Sequence, residues 1–310
     1  MSIDKGLFVA AAAMVCFAVP AAARAPLKLA ITIDDLPVHG PTPIGETPQT
    51  IADRTIAALS VAKVRHATGF VNGVWSVTQP SSIGVLDAWR AAGFAIGNHS
   101  WSHANLGEIG EERLLGEIGG NEGVLIDHGK GGGDWHWFRY PFLSEGEGSR
   151  RLALRRILAN RRYRIAAVTM DFSDWQWTAP YARCVAAKDE AAIAELKRIY
   201  LESAREEIAS SRFLSKELYG RDIPYVLLMH IGALDSYMMP QLLALYRTAG
   251  FRFVSVAEAE RDPTYREDVD PRRPPRESSL FGRASIRGLP QPRTTNFAAK
   301  LAAICPSPSP

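Results

Sequence analysis

The sequence predicts an α/β fold, a parallel sheet with helices packed outside it, on three observations. Short apolar β-type runs alternate with amphipathic helical stretches from Pro26 onward, the pattern of strands joined by helical crossovers. Two helical stretches stop at a glycine directly before a strand, in Ala91-Ala92-Gly93-Phe94 and Thr248-Ala249-Gly250-Phe251, and glycine readily takes the left-handed conformation that ends a helix. The residues able to bind a metal then fall at the other, C-terminal ends of the strands, where parallel α/β folds gather their working loops.

Taken in order, the first strand is read over Leu27–Ile33 and closes on Asp34-Asp35; a helix follows over Thr50–Val61 and a strand over Thr68–Val71. A helix over Ile83–Ala92 leads to the strand Phe94–Ile96, which runs into Asn98-His99-Ser100-Trp101-Ser102-His103. Next come a helix over Glu111–Leu125, a strand over Trp137–Tyr140, a helix over Ser149–Ala159 and a strand over Ile165–Val168. A long helix over Ala186–Ser210 precedes the strand Tyr225–Met229, which His230 ends, and a helix over Met239–Thr248 precedes the last strand, Phe251–Val254. About seven strand–helix units favour a barrel, or a distorted one, over an open sheet.

The 310 residues, 46% hydrophobic and 22% charged, are enough for one large domain with a sizeable core. Residues 1–25 are read as a secretory leader: Lys5, an apolar run Leu7–Val19, then Ala23-Arg24-Ala25 as the cleavage site. The run is shorter than the roughly 20 residues a membrane span needs, so no membrane span is expected after cleavage and the mature chain is expected in the periplasm or outside the cell. Cleavage removes Asp4, Lys5 and Arg24, which takes the net charge from +3 to +2; such a weak field offers nothing to recruit nucleic acid. Cys16 leaves with the leader, so Cys184 and Cys305 remain, either a disulfide clipping the C-terminus to the body or two unrelated thiols. The catalytic domain is read over 26–260 and a Pro/Arg-rich tail over 261–310, whose composition predicts an extended or disordered segment.

Asp34-Asp35 and His99-x3-His103 together offer two imidazoles and two adjacent carboxylates. Adjacent buried carboxylates repel and need a cation or a proton to persist. Two imidazoles and one carboxylate with an open position form a catalytic zinc-type site, which acidifies water and polarises a carbonyl. The second carboxylate is then free to act as base, and an acid is needed for the leaving group. His230, ending an apolar run, is the candidate acid. It requires a carboxylate to keep it protonated, for which Asp174 is the nearest suggestion and Asp171 the competing one.

In order, Thr32-Ile33-Asp34-Asp35, His99-Ser100-Trp101-Ser102-His103, Arg139-Tyr140-Pro141-Phe142, Asp174-Trp175 and Leu228-Met229-His230 resemble the five motifs of the polysaccharide deacetylases, the NodB-homology or carbohydrate esterase family 4 enzymes. The resemblance covers about Leu27 to Val256 and implies a distorted (β/α) barrel. It implies Asp34 as catalytic base, with Asp35, His99 and His103 as metal ligands. It further implies Arg139 as the group orienting the base, Asp174 as the carboxylate tuning the histidine, and His230 as general acid. Phe142 matches a backbone N–H that helps hold the oxyanion, Trp175 a groove wall, and Leu228 a pocket for the acetyl methyl. The implied activity is an exported, metal-dependent deacetylase removing N- or O-acetyl groups from a glycan, with one divalent ion, zinc first and cobalt or manganese also compatible with an N and O ligand set.

The sequence departs from that family beside the site: Leu36 follows the two carboxylates where the family usually has glycine, and Ile231 follows His230 where aspartate is common. Both changes are expected to reshape what the site accepts. They sustain a rival reading, a same-fold amidohydrolase acting on a small non-sugar amide or imide. A second rival, a non-catalytic glycan-binding protein, is opposed by the presence of Asp34, Asp35, His99, His103 and His230. Trp101, Trp135, Trp137, Trp175 and Trp177 lie around the motifs, core packing being the commoner use of tryptophan. His39 and His136 are within reach of the site from loops, although a lone loop histidine is usually solvated; Gly131-Gly132-Gly133 is read as a turn, and Arg150, Arg151, Arg155, Arg156, Arg161 and Arg162 as a solvated helix face in preference to a surface for an anionic polymer.

Overall fold

The computed structural model describes residues 26–129 and 134–306; the leader read over 1–25 and the Gly131-Gly132-Gly133 turn lie outside the described residues. Seven strands, all paired in parallel, are β1 (Leu27–Leu36), β2 (Thr68–Val71), β3 (Ala95–Asn98), β4 (Trp137–Phe138), β5 (Arg164–Ile165), β6 (Tyr225–His230) and β7 (Phe251–Val254). They run in the order β5-β4-β3-β2-β1-β6, with β7 pairing the first residues of β1. An isolated parallel bridge from Met170 to Leu227 joins the chain after β5 back to β6, with Leu228 N donating to Met170 O at 3.0 Å. The sheet thus closes into a ring through one bridge rather than a full ladder, which is the distorted (β/α) barrel.

Around it lie α1 (Pro48–Val61), α2 (Gly84–Ala91), α3 (Glu111–His128), α4 (Gly148–Asn160), α5 (Trp175–Ala187), α6 (Glu190–Tyr219) and α7 (Ala233–Thr248). Local chemistry sets their ends. Thr47 caps α1 with its hydroxyl on Thr50 N at 3.1 Å, ahead of Pro48, a capping box with proline at the first turn. Gly93 and Gly250 take φ of 85° and 92° at the turns into β3 and β7, as the sequence predicts. Leu29, Ile31 and Ile33 of β1 are at most 1% exposed, and the surrounding helices cover them.

Four sequence readings are corrected. The single helix expected over Ala186–Ser210 is two, because Lys188 at φ 55° breaks the chain and Asp189 restarts it by capping Ala192 N at 2.9 Å. Apolar periodicity does not register one left-handed residue between two amphipathic stretches. The helix expected from Met239 begins at Ala233 and carries Pro240 within it.

The Pro/Arg-rich tail is not a free extended segment. Beyond Arg261 it forms short helical turns over Pro263–Tyr265 and Arg266–Val269 and then α8 (Leu280–Ile286) and α9 (Phe297–Ala302), and buries Leu280, Ala284 and Leu301. Two of its arginines are used inward: Asp268 accepts from Arg276 at 2.8 Å and from Arg283 at 2.7 Å. The predicted basic face of α4 is likewise not simply solvated. Arg155 is 3% exposed, pairs with Glu145 at 2.9 Å and donates to the tail carbonyl of Arg273 at 3.0 Å. Cys184 and Cys305 form a disulfide across 121 residues of sequence, and Arg183 donates to Cys305 O at 2.6 Å. No helix among the described residues is long and apolar enough to cross a membrane.

Closing so long a loop restricts the unfolded chain and is worth about 2–5 kcal/mol. Cys305→Ser is therefore expected to lower the unfolding free energy by about that amount in a urea titration, while an unchanged midpoint and slope would mean that the arginine contacts alone hold the tail.

Candidate active site

The site sits at the C-terminal ends of β1, β3 and β6 and in the loops after β4 and β5. On β1, Thr32 and Asp34 point to the same face, as alternate residues of a strand do. A register irregularity between Ile33 and Leu36 then turns Asp35 into the left-handed region at φ 66°, so the two carboxylates leave the strand in different directions.

Arg139, fully buried, lies beneath Asp34. Its Nη1 donates to the Asp34 carboxylate at 3.2 and 3.3 Å, its Nη2 to Thr32 Oγ1 at 3.0 Å and its Nε to Ala166 O at 3.1 Å. The carbonyl of the same residue accepts from His99 Nδ1 at 2.8 Å. That bond fixes the imidazole and leaves Nε2 directed at Asp35.

His99 and His103 are carried on a tight loop after β3 rather than on a helix. Ser100 and His103 adopt φ of 67° and 57°. Asn98 Oδ1 accepts from Ser100 N at 2.9 Å, and Glu117 of α3 accepts from Ser102 N at 2.8 Å and Ser102 Oγ at 2.5 Å. Asn121 of α3 ties Asn98 Oδ1 to Val71 O through bonds of 2.9 and 2.6 Å. The backbone that aims both imidazoles is thus held from α3.

The Nε2 atoms of His99 and His103 each lie 3.4 Å from Asp35 Oδ1. That oxygen is buried and accepts no hydrogen bond. An orphaned buried carboxylate oxygen facing two imidazole nitrogens is a costly arrangement unless a cation completes it, and the mixed N and O donors fit a borderline divalent ion. Asp35, His99 and His103 therefore form a group able to hold a metal. Burial opposes the charge on Asp35, but the His39 hydrogen bond and the nearby His99 outweigh it and hold its carboxyl well below the usual range. Burial lowers His103, against the pull of Asp35.

On β6, His230 stands directly opposite Asp34 in the β1–β6 register. Its Nδ1 meets Asp174 Oδ1 at 2.9 Å, and its backbone N–H donates to Asp174 Oδ2 at 2.7 Å. Burial works against the protonated ring, yet the charge and hydrogen bond of Asp174 prevail and raise His230 to about 10. Of the two carboxylates suggested by the sequence, Asp174 holds the histidine; Asp171 accepts from Ser173 N at 2.7 Å and is raised by burial. Behind Asp174, Asp235 accepts from Tyr200 OH at 2.7 Å, and burial followed by the charge of Asp174 pushes it well above the carboxylate range.

These groups line a cavity of about 300 Å³ together with Tyr140, Phe142, Leu143, Trp175 and Leu228. Phe142, at φ 56°, is 65% exposed and packs edge-on to His103 with ring centroids 4.6 Å apart; Trp175 is 50% exposed. Leu228 is buried at the cavity wall. All ten residues singled out from the sequence are thus brought together. Sequence reasoning missed Asn98, Glu117, Asn121 and Tyr140. It also set aside His39, whose Nδ1 lies 2.6 Å from Asp35 Oδ2; its proximity to Asp35 in sequence was the available signal.

Leu36 is corrected. It is fully buried, and its side chain points away from the cavity toward Gly69 of β2, where an added Cβ would lie 2.7 and 2.9 Å from its methyls. Ile231 is also buried and acts through its backbone, accepting from His39 N at 3.1 Å. The two departures shape the scaffold rather than the cavity surface.

The model of the family described as polysaccharide deacetylase matches residues 24–158. Among similar solved structures is a mutant, with restored enzymatic activity, of a CE4 family pseudoenzyme from Bacillus anthracis, 16% identical at TM-score 0.53 over 76% of this chain and 68% of that one. A peptidoglycan deacetylase from Bacillus subtilis is 18% identical at 0.50, over 78% and 94% of the two chains. The chitin deacetylase of the fungal pathogen Colletotrichum lindemuthianum is 22% identical at 0.50, over 76% and 87%. At these identities the likeness is one of fold. No curated protein sequence matches the chain.

The fit of Leu36 against Gly69 is open to a double-mutant cycle. Gly69→Ala should cost about 1–3 kcal/mol through overpacking, and combining it with Leu36→Ala should cost less than the sum of the two single changes; additive costs in denaturant unfolding would show that the two residues do not share this space.

Proposed function

Since the chain belongs to the polysaccharide deacetylase family, we propose that it is an exported, metal-dependent hydrolase that removes N- or O-acetyl groups from a glycan. The observation that carries this reading is the unpartnered Asp35 Oδ1 between two imidazoles, set beside a carboxylate held by Arg139 and a histidine held by Asp174.

Asp35, His99 and His103 would hold the ion, zinc first and cobalt or manganese by the same donor set. A divalent ion there supplies Lewis acidity, polarising an acyl oxygen and acidifying water. Asp34 takes the proton from the attacking water, its carboxylate kept in place by the two bonds from Arg139, which Thr32 in turn helps to hold. The backbone N–H of Phe142 steadies the acyl oxygen as it gains charge. His230 gives its proton to the departing nitrogen or oxygen, and Asp174 both orients the ring and keeps it protonated. Leu228 lies against the acetyl methyl, and the exposed faces of Phe142 and Trp175 offer sugar rings an apolar platform. The Cys184–Cys305 disulfide supports residence in an oxidising compartment, periplasmic or extracellular. A non-catalytic glycan binder is disfavoured because the base, the acid and all three ligands are present and mutually oriented.

Asp34→Asn should lower kcat by about 10²–10⁴-fold with metal content intact, and His103→Ala should lose the metal; full activity in the first, or full stoichiometric metal in the second, overturns the assignment of that residue. Acetate release is expected from one of chitooligosaccharides, peptidoglycan fragments or acetylated xylan. A metal-loaded chain that releases none and instead hydrolyses small amides or imides would replace the glycan reading. The protonated form of His230 is the active one and is lost as pH rises toward its raised value. Asp174→Asn removes the charge that raises it and should therefore move the alkaline limb of the kcat profile to lower pH; an unmoved limb would deny Asp174 this part.

A further inference from the structure

His39 is a polar group of the cavity that this mechanism does not use. It is not a stray loop residue, because its position is fixed from three sides. Its backbone N–H donates to Ile231 O at 3.1 Å, so the loop after β1 is pinned to the end of β6. Gly40 follows at φ 65° and lies so close to Thr178 of α5 that a Cβ there would come within 2.8 Å of the threonine methyl. The imidazole itself packs at 4.6 Å, centroid to centroid, from that of His230.

The ring delivers Nδ1 to Asp35 Oδ2 at 2.6 Å. An ionised carboxylate only accepts, so Nδ1 carries the hydrogen in this bond. The two oxygens of Asp35 are thereby divided. Oδ2 is engaged by His39, whereas Oδ1 has no hydrogen bond and faces the Nε2 atoms of His99 and His103 at 3.4 Å each. Asp35 also sits at φ 66° on a strand irregularity, where its own backbone does little to choose which oxygen turns inward.

We infer that His39 is a positioning residue of the metal centre: its Nδ1–H holds Oδ2 of Asp35 and presents Oδ1 alone to the ion. The inference rests on the metal-dependent reading above and adds a fourth side chain to it, one that contacts a ligand and not the ion. It also gives a purpose to the buried stretch Leu36-Pro37-Val38, which carries the chain from β1 to a point from which an imidazole reaches back to Asp35.

The test uses the full chain, stripped with a chelator and titrated with zinc in competition with a chromophoric chelator, so that the readout is affinity and not turnover. Partners that orient metal ligands are worth 10–100-fold in affinity. His39→Ala is expected to weaken zinc binding by about that factor. His39→Asn, whose amide nitrogen can take the place of Nδ1, is expected to bind within about threefold of the wild type. Wild-type affinity in His39→Ala overturns the inference. So does a folded His39→Asn, with an unchanged melting temperature, that binds as weakly as the alanine variant. A wild-type chain that takes up no zinc, cobalt or manganese fails the metal-dependent reading itself, and with it this one.

Discussion

The placement of Arg139 is the constraint on which the rest of the site depends. A fully buried guanidinium is expensive, and leaving one without its counter-charge costs roughly 3–5 kcal/mol. Here it is neutralised by Asp34 and its remaining donors are directed at Thr32 and the carbonyls of Ala166 and Ala167. One side chain therefore ties β1 to the segment after β5, across the part of the barrel that its own ladder leaves weakest. Its main chain does as much: Arg139 N donates to Asn98 O, and Arg139 O receives His99. The proposed base, a proposed metal ligand and the barrel closure all lean on one residue.

Around that residue the backbone adopts conformations that non-glycine residues usually avoid. Asp35, Ser100, His103 and Phe142 all have positive φ, each at a cost of order 1–3 kcal/mol that the surroundings must over-determine. For the histidine loop those surroundings are Glu117 and Asn121, polar residues facing inward from α3. For Asp35 they are His39 and the β1–β6 ladder. The site is aimed by groups that never touch a substrate.

Much of this was legible in the sequence, because the barrel's signals are local. Alternation, glycine stops and apolar runs locate all seven strands, and residues at strand ends converge by the geometry of parallel sheets. The reactive pairs were legible because Asp34-Asp35 and His99-x3-His103 are adjacent or nearly so. What escaped was long-range or depended on single dihedrals. Glu117 and Asn121 look like ordinary polar positions of an amphipathic helix until α3 is docked. Lys188 gives no compositional sign that it will break a helix in two. The arginines of the tail suggest a solvated segment, and only the fold supplies the buried Asp268 and the carbonyls that receive Arg155. Leu36 was misjudged because proximity in sequence to the carboxylates was taken for proximity to the cavity, when the irregularity at Asp35 breaks the strand alternation and sends its side chain to Gly69.

Asp34 and His230 occupy the same rung of the β1–β6 ladder, so their separation is an interstrand spacing, about 4.8 Å in any sheet, and not a property of flexible loops. The aromatic faces open to solvent, Phe142 and Trp175, lie outside that ladder, in the turn after β4 and at the first residue of α5. In the proposed mechanism, proton traffic and polymer recognition thus fall to separate mechanical parts. The connections can be lengthened, shortened or exchanged to suit a different polysaccharide, and the rung that moves the protons would be inherited intact.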